Sequence, residues 1–257
     1  MNIEPSLPKL SIDDLIQIGE SGYLQNGEAL EYLEEKRDFW YNLSMFWIAI
    51  TSITAILSLG FASGGAAAAM KALSIATSFD RLIVIVKLLL DAFKDEITII
   101  PKVKTDAGKI ELFVKTKDGR LFAFESRSSG TSQIKWREDR QDFFINSRTS
   151  KGKPRSKKWG ELNSVSASLN QAVLALKRDK NEIMGKTNTE KKRPVIKAII
   201  LTGKTGVDPK NDATLFVDFG KLKKEDCKVL RVATDTVILL VNQEDLVDFL
   251  MPREKNL

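Results

Sequence analysis

The chain contains no histidine and a single cysteine, Cys227. Zinc sites built on His and Cys are therefore excluded, as are Ser-His-Asp and Cys-His nucleophile systems. No zinc or haem cofactor is expected. One thiol cannot form a disulfide within the chain, which fits a reducing compartment. Any catalysis must rest on carboxylates, Lys, Arg, Tyr, Ser or an oxygen-bound divalent metal. Charge is also missing locally: although 29% of residues are charged, Phe39–Met70 holds none.

The charges that remain are segregated. Residues 1–38 hold nine acids and three bases, residues 39–100 four of each, and residues 101–257 hold 33 bases and 21 acids. An acidic helical lead-in, an apolar segment over 39–95 and a basic domain over 96–257 follow as the expected organisation. A bilayer core is crossed by about 20 apolar residues in a helix. Phe39–Phe61 supplies that length, and Phe39, Trp40, Tyr41 and Trp47 sit near its start as interfacial aromatics would. A membrane span is preferred here over a buried core helix, because the run is apolar on all faces.

Beyond it, Ser63-Gly64-Gly65 interrupts the pattern, and AAAAMKALSIATSF continues to Phe79. Two arrangements fit. The chain turns near Gly64–Gly65 and returns as a helical hairpin over 62–79, its small residues permitting close packing. Otherwise a single span precedes an amphipathic helix over 80–95 on the membrane surface.

From Ile97 the pattern changes to strands. ITIIPKV stops at Pro101, and KIELFVK and RLFAFES flank a turn at Asp118-Gly119. Another strand is predicted around Gln133–Trp136. An amphipathic helix starts at Asn163 or Ser164 and ends at Gly185. VIKAIILT reads as a strand buried on both faces; TLFVDF, CKVLRVA and TVILLV follow as strands, and Asn242 caps a last short helix. The order predicts an α/β domain with a mixed sheet flanked by helices. Gly203-Lys204-Thr205 lacks the earlier glycine of a phosphate-binding P-loop, since position 198 is Ala, and reads as a plain loop.

The segment KIELFVKTKDGRLFAFESR resembles the restriction-endonuclease-like fold, and within it the nuclease-related NERD type. The resemblance extends as a pattern over roughly 97–250. It implies an acid on one strand and E-x-K on the next, gathered at a sheet edge to bind magnesium or manganese for phosphodiester hydrolysis. Glu111 and Glu125 would be the metal-binding acids and Arg127 would stand for the lysine. Gln171 would contribute from the following helix. The chain departs from the pattern at Glu111, where Asp is expected, and at Arg127, which stays protonated and cannot replace lysine in proton transfer. With a two-residue turn Glu111 faces Ser126 and points away from Glu125 and Arg127. A three-residue turn with a glycine bulge is expected to set Glu111 opposite Arg127, with all three on one face. Alternatively, Glu111 and Arg127 form a cross-strand ion pair.

Residues 148–158 form a basic loop with six Lys or Arg in eleven positions. Trp136, Arg137, Arg140, Arg148, Lys151, Lys153, Arg155, Lys157, Lys158 and Trp159 combine cations with flanking aromatics, as a phosphate-tracking surface would. Such a surface serves DNA or RNA, or anionic lipid headgroups. Two functions follow as expectations. One is a membrane-anchored nucleic-acid-binding protein with a magnesium-dependent nuclease-like domain on the cytoplasmic side. The other is a non-enzymatic membrane protein whose basic domain scaffolds a partner or docks on lipid.

Overall fold

The computed structural model describes residues 23–57, 62–149, 151–211, 216, 230–233 and 237–251. The acidic lead-in before Tyr23, the TLFVDF strand apart from Phe216, and Cys227 lie outside these residues.

Two 32-residue helices come first, α1 (Asn26–Leu57) and α2 (Ala62–Phe93). Each is about 48 Å long at the rise of an α-helix. They run antiparallel, because contacts pair rising positions on one with falling positions on the other. Lys87 meets Glu34 at 2.7 Å, Tyr41 bonds to Asp80, and Ser44 Oγ donates to Ala69 O at 3.2 Å. The arrangement is thus the hairpin rather than a span followed by a separate surface helix. Gly64 and Gly65 lie inside α2 instead of at the turn. A Cβ on Gly65 would stand 2.1 Å from Thr51 Oγ1, so that glycine lets the helices cross closely. Among the described residues no helix is long and apolar enough to cross a membrane.

Behind the hairpin lies a six-stranded mixed sheet in the order β1-β2-β3-β7-β10-β9. Its strands are β1 (Ile97–Thr105), β2 (Gly108–Thr116), β3 (Leu121–Arg127), β7 (Val195–Leu201), β9 (Leu230–Ala233) and β10 (Val237–Asn242). β1, β2 and β3 form an antiparallel meander, whereas β7 is parallel to both β3 and β10. Pro101 does not stop β1. It sits in an edge strand, where a missing N–H costs no ladder bond. Asn26, at the foot of α1, seals part of that edge: its amide donates to Ile97 O and accepts from Ile99 N at 2.9 and 2.8 Å.

The strands alternate between two cores. Leu112, Val114, Phe122, Phe124, Ala198 and Ile200 face the hairpin. Phe113, Leu121 and Ala123 face α3 (Leu162–Asp179), with Leu169, Ala172, Val173 and Leu176 above them. Burying each such Leu or Phe contributes about 1.5–3 kcal/mol relative to exposure. β7 is covered on both sides, hence its nearly unbroken apolar sequence. Short helices α4 (Asn181–Met184) and α5 (Asn188–Lys191) lead into it, the second opened by a Thr187–Glu190 capping box.

A second sheet, ordered β6-β5-β4-β8, shares the α3 side. It comprises β4 (Ser132–Arg137), β5 (Asp142–Arg148), β6 (Pro154–Lys158) and β8 (Thr205–Val207). Ile134, Phe143, Trp159, Leu162 and Ile199 join it to the main sheet. Residues 148–158 are therefore a strand hairpin and not a loop, since Ser147 pairs with Arg155 and Ile145 with Lys157. The last helix, α6 (Leu246–Leu250), closes the hairpin-side core; Asn242 turns its side chain to Val207 N instead of capping it.

Candidate functional site

The turn between β2 and β3 has three residues, Lys117 to Gly119, with Gly119 at φ +84°. It nevertheless pairs Thr116 with Arg120, whose carbonyl accepts from Thr116 N at 3.1 Å. The register therefore differs from both expected ones. Leu112 opposes Phe124, and the next step sets Glu111 opposite Glu125, not opposite Arg127 or Ser126.

The side chains do not simply follow that register. Ile100 and Val103 on β1 both belong to the α3-side core, although three positions apart. Ile110 and Phe113 on β2 repeat the anomaly. Strict alternation would send each pair to opposite faces. Both strands slip at one level, where Lys102 adopts the left-handed conformation at φ +54° between the paired positions Pro101/Leu112 and Val103/Ile110. The slip re-aims the residues caught there, Lys102 and Glu111. Lys102 Nζ lies over the Phe79 ring of α2, 5.2 Å from its centroid, and 3.9 Å from Glu111 Oε1.

Glu111 Oε2 accepts from Ser126 N at 2.9 Å and from Ser126 Oγ at 2.6 Å. A carboxylate has thus replaced the backbone carbonyl that a continuing ladder would offer. Ser126 alternates with Glu125 and Arg127 along β3, so these bonds draw Glu111 out of the face that those two share. Arg127 Nη1 bonds Glu125 Oε2 at 3.2 Å and Ser126 O at 2.8 Å. The expected single-face triad is not formed; two linked ion pairs, Lys102–Glu111 and Glu125–Arg127, stand in its place.

Both carboxylates are only 7% exposed. Burial pushes Glu125 up to about 7, and the neighbouring Glu111 charge pushes the same way against Arg127. Burial also opposes ionisation of Glu111. The Lys102 ammonium and the two Ser126 bonds outweigh it and hold that carboxyl below its ordinary value. Lys102 is itself lowered by burial, partly offset by Glu111. The pair consequently splits into one committed carboxylate and one that gains or loses its proton near neutrality.

Magnesium is compatible with one or two carboxylates. Here Glu111 has its oxygens turned to Ser126 and Lys102, and the lysine already supplies the positive charge. The set as it stands does not fit a divalent cation. Among the described residues no cluster of three or more acidic or thiol ligands occurs.

Gln171 is exposed on the outer side of α3 and does not reach this cluster, because the sheet-facing positions are Leu169, Ala172 and Val173. Trp159 is 5% exposed and belongs to the core, so it offers no stacking surface. Trp136 is half-buried and packs edge-on against Phe143 at 4.9 Å. Arg137 and Arg140 both pair with Asp139, at 2.8 and 3.5 Å, and Lys158 pairs with Asp142. Arg148, Lys151, Lys153, Arg155 and Lys157 are exposed along the β5–β6 hairpin, with no acidic partner among the described residues. Lys102 and Ser126 were not legible as site residues; the only trace is a lysine directly after a strand proline.

Gly203-Lys204-Thr205 forms a turn into β8, with no helix in the described residues 208–211 that follow it. It lines a cavity of about 970 Å³ beside the ends of β7 and β10. No protein-family model, curated protein or solved structure matches the chain.

Proposed function

We propose that this chain is a membrane-associated protein whose basic, restriction-endonuclease-like α/β domain binds nucleic acid. The observation that carries the reading is the β5–β6 hairpin. Arg148, Lys151, Lys153, Arg155 and Lys157 stand together in solvent with no acidic partner among the described residues, so a polyanion meets charge that those residues do not neutralise. The order of parts supports the fold: a three-strand meander, an amphipathic helix, a strand buried on both faces, then a terminal strand and short helix. The apolar hairpin supports membrane association, with Phe46, Ile53 and Met70 more than half exposed.

A retardation assay of the full chain with DNA and RNA tests this, against a variant with Lys151, Lys153, Arg155 and Lys157 changed to Ala. Equal binding by the two proteins sinks the role. Binding by vesicles alone would transfer the surface to anionic lipid and favour the docking reading.

A second reading, magnesium-dependent phosphodiester hydrolysis, is favoured by Glu125. A buried carboxyl near pH 7 beside another acid is the electrostatic state that an arriving cation relieves. It requires Glu111 to leave Ser126. Cleavage of plasmid or RNA with magnesium or manganese, lost in Glu125→Ala, supports it; activity that persists unchanged in the variant belongs to a contaminant.

A further inference from the structure

The hairpin carries a depth mark. Lys71 is the sole charged residue between Asp38 and Asp80, and it is exposed on α2. Ser44 contacts Ala69 and Thr51 lies against Gly65, so Lys71 is level with the neighbourhood of Ser44 on α1. From Lys71 to the start of α2 at Ala62 is about 14 Å, and from Ser44 to the end of α1 at Leu57 about 20 Å. A bilayer hydrocarbon core is about 30 Å thick, and one leaflet about half of that. A hairpin that entered at Phe39, five residues before Ser44, would carry Lys71 about 7 Å below the hydrocarbon surface, where an ammonium is disfavoured.

We propose that the hairpin tip enters one leaflet of a phospholipid bilayer and stops there, with Lys71 among the headgroups. This rests on the membrane reading above and replaces a span with a shallow, monotopic insertion. The large exposed side chains described below the Lys71 level are apolar on both helices: Met45, Phe46, Ile48 and Ile53 on α1, and Met70 on α2; the exposed Ser52 is the small polar exception among them. Phe46 and Trp47 form an edge-to-face pair just inside it, at the depth of an interfacial aromatic belt. The hydroxyls of Thr51 and Ser52 are satisfied by their own helix. Thr51 Oγ1 donates to Trp47 O at 2.7 Å and Ser52 Oγ to Ile48 O at 2.9 Å, as a dry environment demands. Both hairpin ends, and the sheet attached to them, stay on the side of entry.

The test uses the full chain in phosphatidylcholine–phosphatidylglycerol vesicles, with Cys227→Ser and one nitroxide-labelled cysteine at Ile53→Cys or Leu73→Cys. The expected result is an oxygen-accessible, nickel-shielded label at position 53 and a headgroup-level label at 73. Adding Lys71→Leu should move the label at 73 into the hydrocarbon. Labelling of a cysteine at 53 by an impermeant maleimide trapped on the far side would show that the hairpin crosses. That result overturns the one-leaflet placement and leaves membrane association standing. A folded protein that fails to float with vesicles, its apolar tip covered by a second copy, overturns both.

Discussion

Lys102 and Glu111 face each other across β1 and β2 at the level where both strands lose their alternation. Their charged atoms are 3.9 Å apart and both side chains are 9% exposed. Removing one member leaves the other charge buried and uncompensated. Lys102→Met should lower stability by about 3–5 kcal/mol. Lys102→Met combined with Glu111→Gln should recover part of that loss. Urea denaturation of the two variants beside the parent chain measures the difference.

Glu125 makes stability depend on pH. Its folded carboxyl titrates at about 7 against an ordinary value of 4.5. The folded state therefore keeps a proton that the unfolded state has already released. The resulting stabilisation is complete below pH 4.5 and is lost as pH rises through 7, by about 3 kcal/mol. Glu111 has the opposite sign, since its lowered pKa gives stability that disappears in acid. Glu125→Gln should flatten the loss between pH 5 and 8 and be more stable than the parent chain at pH 8. Denaturant midpoints at the two pH values decide it.

The β5–β6 hairpin should set the salt dependence of nucleic-acid binding. Each phosphate neutralised contributes a slope of about 0.7–0.9 in log affinity against log salt. Changing Arg155 and Lys157 to Ala should reduce the slope by about 1.5 with little change in melting temperature, because both side chains are exposed. Arg140→Ala should change it less, since Asp139 already holds that guanidinium. A salt titration of fluorescence anisotropy separates them.

Gly65 should be intolerant of a side chain. Its Cβ would meet Thr51 Oγ1 at 2.1 Å, so Gly65→Ala forces the Thr51 side chain out of its bond to Trp47 O or the helices apart, at about 1–3 kcal/mol. Thr51→Ala in the same chain should restore much of the loss by removing the hydroxyl. Thermal melts of the single and double variants test the pairing.

Asn26→Ala should free the sheet edge. Both amide bonds to Ile97 and Ile99 disappear, at about 1–3 kcal/mol. Faster amide hydrogen exchange at Ile99, with the interior of β7 unchanged, is the expected signature.

Periodicity alone placed most of the elements. The alternation of β2 and β3, the continuous apolar run of β7 and the amphipathic face of α3 follow from which side chains must leave water. It also separated the charge-free stretch Phe39–Met70 from the basic domain. It did not foresee that Pro101 would be tolerated, because only strand order reveals β1 as an edge. Nor did it show residues 148–158 as a hairpin, because β6 is polar throughout and pairs through its backbone.

The residues of the site were half visible. Glu111, Glu125 and Arg127 stand where the pattern set them along the chain, and a glycine in the left-handed region does close their turn. Their geometry was decided elsewhere. Lys102 turns left-handed on the neighbouring strand, re-aims Glu111 toward Ser126 and brings its own ammonium into the cluster. Gln171 and Trp159 were assigned by residue type, and only packing shows that one faces solvent and the other the core. Sequence by itself determined the apolar segment, the basic domain and the strands that carry the acids, since those depend on local pattern; the antiparallel hairpin came only with the contacts between its helices. Tertiary structure alone decided which charges meet, because the slip at the left-handed Lys102 on the adjacent strand moved Glu111 off the face that Glu125 and Arg127 share.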